Sequence, residues 1–147
     1  PDRIIVVGHS AGGHLALWLA SGSHAPWLTG ALALAPAADL GEVDRLGLGA
    51  GAARALVGAA PEDAAAAWAD ADPMRQRLEV RTVVVTGELD DVVPAPVAES
   101  YIAGRSPQEP LRSAVARGAD HLDLVDPVGG AYLLVLAEIE ELTLPER

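Results

Sequence analysis

Apolar positions along the chain form short runs that alternate with stripes at helical spacing. Runs of β-branched and aliphatic residues predict four buried strands, at residues 3–7, 29–34, 80–86 and 111–116. Apolar residues three or four apart predict helices at residues 11–21, 52–57, 61–70, 94–103 and 129–142, with a short helix or turn at 39–46. Strands that alternate with helices are typical of a parallel sheet covered by helices on both faces. The pattern therefore predicts an α/β fold.

Two of these helices have a predicted buried face. In the first, the apolar stripe is formed by Leu15, Trp18 and Leu19. In the last, it is formed by Leu133, Leu136, Ile139 and Leu142, with acidic residues on the opposite side.

Composition limits the function classes that the chain can belong to. Its 147 residues are enough for one domain or less, and half of them are hydrophobic, although only 3% are aromatic. A net charge of −11 argues against nucleic acid or an anionic membrane as a partner. The chain has no cysteine, and no apolar run approaches the ~18 residues that a membrane span needs. We expect no metal, no cofactor and a cytoplasmic location.

The strongest chemical signal is Gly-x-Ser-x-Gly at residues 8–12, between the first predicted strand and the first predicted helix. A strand that turns directly into a helix brings two backbones together, and we expect Gly8 and Gly12 to remove the Cβ atoms that would collide. Ser10 at the apex would then project its hydroxyl above the sheet as a nucleophile. The N–H of Ala11 lies at the helix N-terminus, where it is a natural oxyanion donor.

Two later strand ends carry candidates for the partners of such a serine. Asp90 and Asp91 follow the third strand, and His121 follows the fourth. Serine, then carboxylate, then histidine is the α/β-hydrolase order, and the carboxyl ends of parallel strands meet at one edge of the sheet. Each residue taken singly is also typical of an ordinary capped loop. Together they predict a catalytic triad of Ser10, His121 and either Asp90 or Asp91. We interpret His9 as a packing residue or one that supports a catalytic side chain, and His14 as a packing or surface residue.

Three segments resemble esterase-like α/β-hydrolases, a group that includes feruloyl- and acetyl-xylan-esterase-like proteins and arylformamidases. Residues 8–17 resemble their nucleophile elbow, residues 87–94 resemble their Gly-x-x-Asp-x-x-Val-Pro acid loop, and residues 118–127 resemble their histidine loop. The resemblance implies that Asp90 is the triad acid, that Asp91 occupies a variable position and that His121 is the base. Leu122 stands where these proteins usually have phenylalanine.

The same resemblance implies that this chain is the C-terminal part of a larger α/β-hydrolase domain. These proteins carry a His-Gly-Gly-type segment upstream of the elbow, and its backbone supplies a second oxyanion donor. We therefore expect residues 1–147 to be part of a single domain that needs an N-terminal half for full activity. The outer edge of the strand at 3–7 is then a candidate for self-association.

The sequence leaves several functions open. The first is a serine hydrolase that cleaves a carboxylic ester, with a helical lid at about residues 39–73 over the substrate. Within the same enzyme class, the alternatives are an arylformamidase and a prolyl-oligopeptidase-like peptidase, so the expected substrate is a small ester or amide. The alternative from another class is a non-catalytic remnant.

Overall fold

A computed structural model describes residues 3–145 of the chain, so the outermost residues of the predicted domain, 1–2 and 146–147, lie outside it. One parallel sheet has the strand order β1-β2-β3-β4. The strands are β1 (Ile5–His9), β2 (Gly30–Leu34), β3 (Arg81–Gly87) and β4 (Leu111–Ala116). The predicted α/β class is confirmed. β1 begins at Ile5 rather than at residue 3, because its pairing with β2 runs from Ile5 opposite Gly30 to His9 opposite Leu34.

Six α-helices join or follow the strands in the described part of the chain. They are α1 (Ala11–Ala20), α2 (Leu40–Arg45), α3 (Ala52–Val57), α4 (Ala65–Ala71), α5 (Ala95–Ala103) and α6 (Ala131–Thr143). Short 3-10 turns lie at Leu48–Ala50, Pro73–Arg75 and Asp123–Val125. No described helix is long and apolar enough to span a bilayer.

Alternate side chains of the central strands point to opposite faces of the sheet, and each face packs against a different layer of helices. On one face, the larger residues of β2 and β3 pack against Val135 and Leu142 of α6. On the other face, Ala33 and Val84 pack against Leu17 of α1 and residues of α5. The period of two along each strand thus yields three layers, with α6 on one side of the sheet and α1 and α5 on the other.

The predicted buried face of α1 is wrong. Leu15 is 54% exposed, and Trp18 and Leu19 are only partly buried. The face that meets the sheet consists mainly of small residues: Gly13, Ala16, Leu17 and Ala20. A Cβ atom at Gly13 would lie 2.9 Å from Cβ of Pro36, so the helix approaches the end of β2 too closely for larger side chains.

The predicted buried face of α6 is wrong in part. Leu142 is buried, but Leu133 and Leu136 are exposed, and Val135 and Glu138 are buried instead. Glu138 is tolerated there because both of its oxygens accept hydrogen bonds from the Arg112 guanidinium on β4. An ion pair at the sheet therefore replaces an apolar contact that periodicity alone predicts.

Between β2 and β3 the chain forms a helical segment built around the buried ring of Trp68. Residues of α2 and α3, with Val97 of α5, pack against this ring. The helix predicted from residue 61 begins only at Ala65, because residues 61–63 form a turn in which the N–H groups of Asp63 and Ala64 donate to Ala60 O. This segment lies within the predicted lid at 39–73.

Candidate active site

The turn from β1 into α1 holds Ser10 in a backbone conformation that few residues other than glycine adopt. Its φ is 59° and its ψ is −118°. A Cβ atom at Gly8 would lie 2.0 Å from the carbonyl oxygen of Gly12, so only glycine fits at that position. The expectation for Gly12 is wrong, because a Cβ atom there would meet nothing within 4 Å. The second glycine that close approach requires is Gly13, which faces Pro36.

Backbone hydrogen bonds tie the serine turn to the end of β2. Ser10 N–H donates to Leu34 O at 2.8 Å, and Ala37 N–H donates to Ser10 O at 3.3 Å. The intervening Ala35 also has a positive φ, of 42°, and its N–H donates to Val85 O at 2.7 Å. The N–H and the C=O of the strained serine are thereby tied to the end of β2 and to the loop that follows it, and such ties keep an unfavourable backbone conformation in place.

Asp90 and His121 meet directly at the same edge of the sheet. Asp90 Oδ2 lies 2.7 Å from His121 Nδ1, and the two residues are 8% and 7% exposed. Asp90 Oδ1 accepts hydrogen bonds from the N–H groups of Val92 at 3.0 Å and Val93 at 2.8 Å. Asp91 is exposed, and among residues 3–145 its side chain has no hydrogen bond or ion pair. The structure therefore pairs Asp90, and not Asp91, with the histidine.

The loops that carry Asp90 and His121 are joined by their backbones. Leu89 N–H donates to Ala119 O at 2.9 Å, and Glu88 N–H donates to Ala116 O at 3.0 Å. A Cβ atom at Gly87 would lie 2.6 Å from Ala119 O, so this close approach requires a glycine where the acid loop begins. The two loops are held together by contacts that do not involve the pair itself.

His9 is the residue that brings His121 towards the serine turn. His9 Nε2 lies 2.8 Å from His121 O, and the two imidazole rings are 4.4 Å apart between centroids. Since His9 directly precedes Ser10, this contact places the Asp90–His121 pair beside the predicted nucleophile. This contact agrees with the interpretation of His9 as a packing residue or one that supports a catalytic side chain, although the sequence gives no signal that its partner lies 112 residues away.

Within residues 3–145, no hydrogen bond joins Ser10 Oγ to His121 Nε2, and neither atom has another partner. Catalytic hydrogen bonds in unliganded enzymes are often long and shorten when substrate binds. Ala11 is the first residue of α1, so the helix itself offers no acceptor for its N–H. The predicted oxyanion donor thus adjoins the serine at the N-terminus of α1.

A small pocket of about 200 Å³ opens beside this N-terminus. Ala11 and His14 of α1 form one wall, and Leu40, Val43 and Ala53 from the segment between β2 and β3 contribute to the other. Burial lowers the pKa of His14, and a hydrogen bond of 3.2 Å between its Nδ1 and Ala37 O opposes that effect only in part. Ala11 and His14 are three residues apart on one helix, and that spacing is the only sequence signal of their shared face.

No group of three or more His, Asp or Glu side chains among the described residues could hold a metal ion.

A sequence profile of the prolyl oligopeptidase family matches residues 1–125 of the chain. A search of curated proteins gave no significant match.

Several solved structures share this fold over nearly the whole chain. Dipeptidyl peptidase 4 from Porphyromonas gingivalis has a TM-score of 0.70 and 19% identity, over 96% of this chain and 19% of that protein. An acylaminoacyl peptidase in complex with Z-Gly-Gly-Phe-chloromethyl ketone has a TM-score of 0.76 and 12% identity, over 99% and 25%. A monoacylglycerol lipase from Paleococcus ferrophilus has a TM-score of 0.63 and 14% identity, over 96% and 68%. The chain thus spans about a fifth to a quarter of the two peptidases.

Proposed function

The chain belongs to the prolyl oligopeptidase family and is a serine hydrolase of the α/β-hydrolase class, and we propose that it cleaves amide bonds in peptides. In this proposal Ser10 is the nucleophile, His121 is the general base and Asp90 orients the base. The α/β-hydrolase resemblance predicted from the sequence is confirmed. The reaction, the residues that perform it and the substrate class are what we propose.

The observation that carries the proposal is the buried hydrogen bond of 2.7 Å between Asp90 Oδ2 and His121 Nδ1. A carboxylate can only accept, so Nδ1 carries the proton and Nε2 keeps a lone pair. That tautomer is the one a general base needs, because Nε2 must be free to take the proton of a serine hydroxyl. The strained turn at Ser10 and the contact between His9 and His121 support the same assignment.

The reaction follows from these roles. Ser10 Oγ attacks the substrate carbonyl carbon, and its proton passes to His121 Nε2 as the C–O bond forms. The histidine then protonates the leaving nitrogen, the C–N bond breaks, and an acyl ester remains on Ser10. Water, deprotonated by His121, attacks that ester; the C–O bond to Ser10 then breaks, the imidazolium returns its proton to Ser10 Oγ, and the acid is released. Asp90 remains ionised throughout and stabilises the imidazolium that forms twice in each cycle.

The second requirement of this chemistry is a hydrogen-bond donor that stabilises the negative charge developing on the carbonyl oxygen. We assign the N–H of Ala11 as one oxyanion donor, since it lies at the N-terminus of α1 and beside the nucleophile. Removal of one such donor typically costs about 10²–10³ in kcat.

The family favours a peptide substrate over the carboxylic ester that the sequence predicted first. Its description names an oligopeptidase, and the profile covers both Ser10 and His121. Two of the solved structures with this fold are named as peptidases, whereas a third is named as a lipase. Ester cleavage therefore remains as the alternative that an assay must test.

The pocket beside Ala11 is where we place the substrate group next to the scissile carbonyl. Its outer wall comes from α2 and α3, so the segment at 39–73 acts in this proposal as the predicted lid. The small size and apolar lining favour one compact side chain over an extended chain.

Cleavage of an unactivated peptide bond, followed by mass spectrometry, tests this function. We expect fragments from a mixture of short peptides with the full chain and none with Ser10→Ala, measured beside an ethyl ester that carries the same acyl group. Ester cleavage without peptide cleavage would contradict the substrate class and leave the triad intact. Turnover of neither compound would favour the non-catalytic alternative.

A further inference from the structure

The pocket beside the nucleophile contains a polar group for which the proposed reaction has no use. His14 is 5% exposed and lines a wall that is otherwise built from alanine, leucine and valine side chains. We propose that His14 Nε2 accepts a hydrogen bond inside this pocket, which therefore selects a ring that carries a hydroxyl group over a hydrocarbon ring of the same shape. This inference rests on the proposed function, in which the pocket holds the substrate side chain next to the scissile carbonyl.

The tautomer of His14 follows from its one polar contact within the described residues. Nδ1 lies 3.2 Å from Ala37 O, and a carbonyl oxygen can only accept. Nδ1 therefore carries the proton. Burial lowers the pKa of His14 below its ordinary value, so the ring is neutral near pH 7 and Nε2 is a bare acceptor.

The position of Nε2 follows from what it does not contact. Across residues 3–145, Nε2 has no hydrogen-bond partner. Two side-chain atoms in this range are both fully buried and without a partner, Tyr101 Oη and Arg105 Nε, and His14 Nε2 is not one of them. Nε2 of a residue that is almost fully buried must therefore face open space. His14 is one of the residues that line the pocket, so we infer that Nε2 faces this space.

The size and lining of the pocket favour a phenol. A protein cavity of about 150 Å³ holds one benzene ring, and this pocket has about 200 Å³. Leu40, Val43 and Leu56 provide apolar contacts for the faces of such a ring. A hydroxyl group on the ring would satisfy the one acceptor on the wall, whereas a hydrocarbon would leave that acceptor buried and unpaired.

Binding of two small probes tests the inference without any need for catalysis. p-Cresol and toluene have nearly the same shape and differ by one hydroxyl group. We expect the full chain to bind p-cresol about threefold to tenfold more tightly than toluene, the range for one net hydrogen bond. NMR titration of the labelled chain measures both affinities, and we expect the ¹⁵N resonance of His14 Nε2 to shift with p-cresol only.

Two variants separate the acceptor from the tether to Ala37. His14→Phe keeps a ring and removes both nitrogens, so the preference for p-cresol should disappear or reverse. His14→Asn keeps an N–H group in place of Nδ1–H for Ala37 O but has no atom in place of Nε2, and it should lose the preference as well. A preference that survives in either variant would overturn the inference.

Other outcomes are equally decisive. Tighter binding of toluene by the wild-type chain, or binding of neither probe, would contradict the role of His14. Ser10→Ala should bind p-cresol as the wild-type chain does. If the serine proves unreactive while this preference holds, the proposed function fails and the ligand site stands alone.

Discussion

At the scale of single residues, the two oxygens of Asp90 have different tasks. Oδ1 accepts two backbone hydrogen bonds, from Val92 and Val93, and Oδ2 faces His121. The backbone bonds fix the orientation of the carboxylate, so the imidazole is held in one tautomer. The exposed carboxylate of Asp91 has no such backbone hydrogen bonds among the described residues.

Replacement of each aspartate by asparagine tests this division of tasks. Asp90→Asn retains an oxygen for the two backbone N–H groups but can present an N–H group to His121 Nδ1, which forces the wrong tautomer. We expect kcat to fall about 10⁴-fold, as when the carboxylate of a serine triad becomes an amide. Asp91→Asn is the matched control and should change kcat less than about twofold, since the side chain is exposed. A larger loss from Asp91→Asn would overturn the assignment.

The residue types at the strand ends predicted that Asp90 and His121 could come into contact. They did not predict every contact that the structure shows at this site. Asp90 and His121 follow neighbouring parallel strands, and a general rule of such sheets brings them to one edge. The choice of Asp90 over Asp91 needed family resemblance, because both carry the same charge at adjacent positions. The contact between His9 and His121 and the burial of His14 depend on packing between distant segments, which local pattern does not encode.

At the scale of elements, the turn from β1 into α1 depends on one glycine more than on the other. A Cβ atom at Gly8 would collide with the Gly12 carbonyl, whereas a Cβ atom at Gly12 would meet nothing. The two glycines of the Gly-x-Ser-x-Gly motif are therefore not equivalent in this chain.

Alanine at each glycine separates the two positions. We expect Gly8→Ala to lower the free energy of unfolding by about 3 kcal/mol or more, since backbone must move to admit the methyl group. Gly12→Ala lies in the first turn of α1, and we expect a change of less than about 1 kcal/mol, in the stabilising direction. Urea denaturation measures both. Equal losses of unfolding free energy in the two variants would show that the backbone at Gly8 does not approach the Gly12 carbonyl as closely as the structure indicates.

A partly buried ion pair, which follows the C-terminus of α5, links that helix to the segment that leads into β3. The Arg105 guanidinium lies 3.2 Å from Glu109 Oε2 and donates to Gln76 O, and Glu109 accepts from the N–H groups of Leu78 and Ser106. Burial alone would raise the pKa of Glu109, but these N–H groups and Arg105 together lower it. A carboxyl group whose pKa is lowered by folding stabilises the protein above its unfolded pKa, and that stability is lost as the pH falls through the folded pKa.

Glu109→Gln should therefore destabilise the fold at neutral pH by about 1–2 kcal/mol, between the values for an exposed ion pair and for a buried one. The difference from wild type should shrink as the pH falls below the ordinary pKa of glutamate, because the wild-type carboxyl group is then protonated too. Thermal unfolding at pH 7 and at acid pH measures both values. A difference that is independent of pH would rule out the ion pair as its cause.

The sequence predicted the bounds of an element correctly where the local hydrophobic pattern determines them. It predicted them wrongly where contacts with other segments determine them. The predicted bounds of β4 and α3 are confirmed. The predicted start of α4 was wrong because residues 61–63 form a turn that is closed by hydrogen bonds to Ala60 O. The predicted buried face of α1 was wrong because that helix packs mainly through small side chains. Close approach of a helix to a sheet is a property of two elements together, so the hydrophobicity of one of them predicts it poorly.

At the scale of the whole molecule, β1 is an edge strand in the described structure. It pairs with β2 only, and Val7 within it is 43% exposed. Unpaired edges of this kind can pair with another chain, so we propose self-association through the edge at residues 3–7.

Sedimentation velocity over a range of concentrations tests this proposal. We expect the wild-type chain to form larger species as concentration rises, and Val7→Lys to remain monomeric because a charge at the edge opposes pairing. Leu133→Lys, on the exposed face of α6, is the control and should associate as the wild-type chain does. A wild-type chain that stays monomeric throughout would contradict the proposal.

The central claim is that Ser10, His121 and Asp90 act as one nucleophilic unit, and reaction with a fluorophosphonate probe tests it most directly. The probe forms a covalent bond only with an activated serine, and peptide mapping locates the bond. We predict that the wild-type chain is labelled on Ser10, that Ser10→Ala is not labelled and that His121→Ala is labelled far more slowly. Labelling that persists in Ser10→Ala, or a rate unchanged in His121→Ala, would contradict the claim.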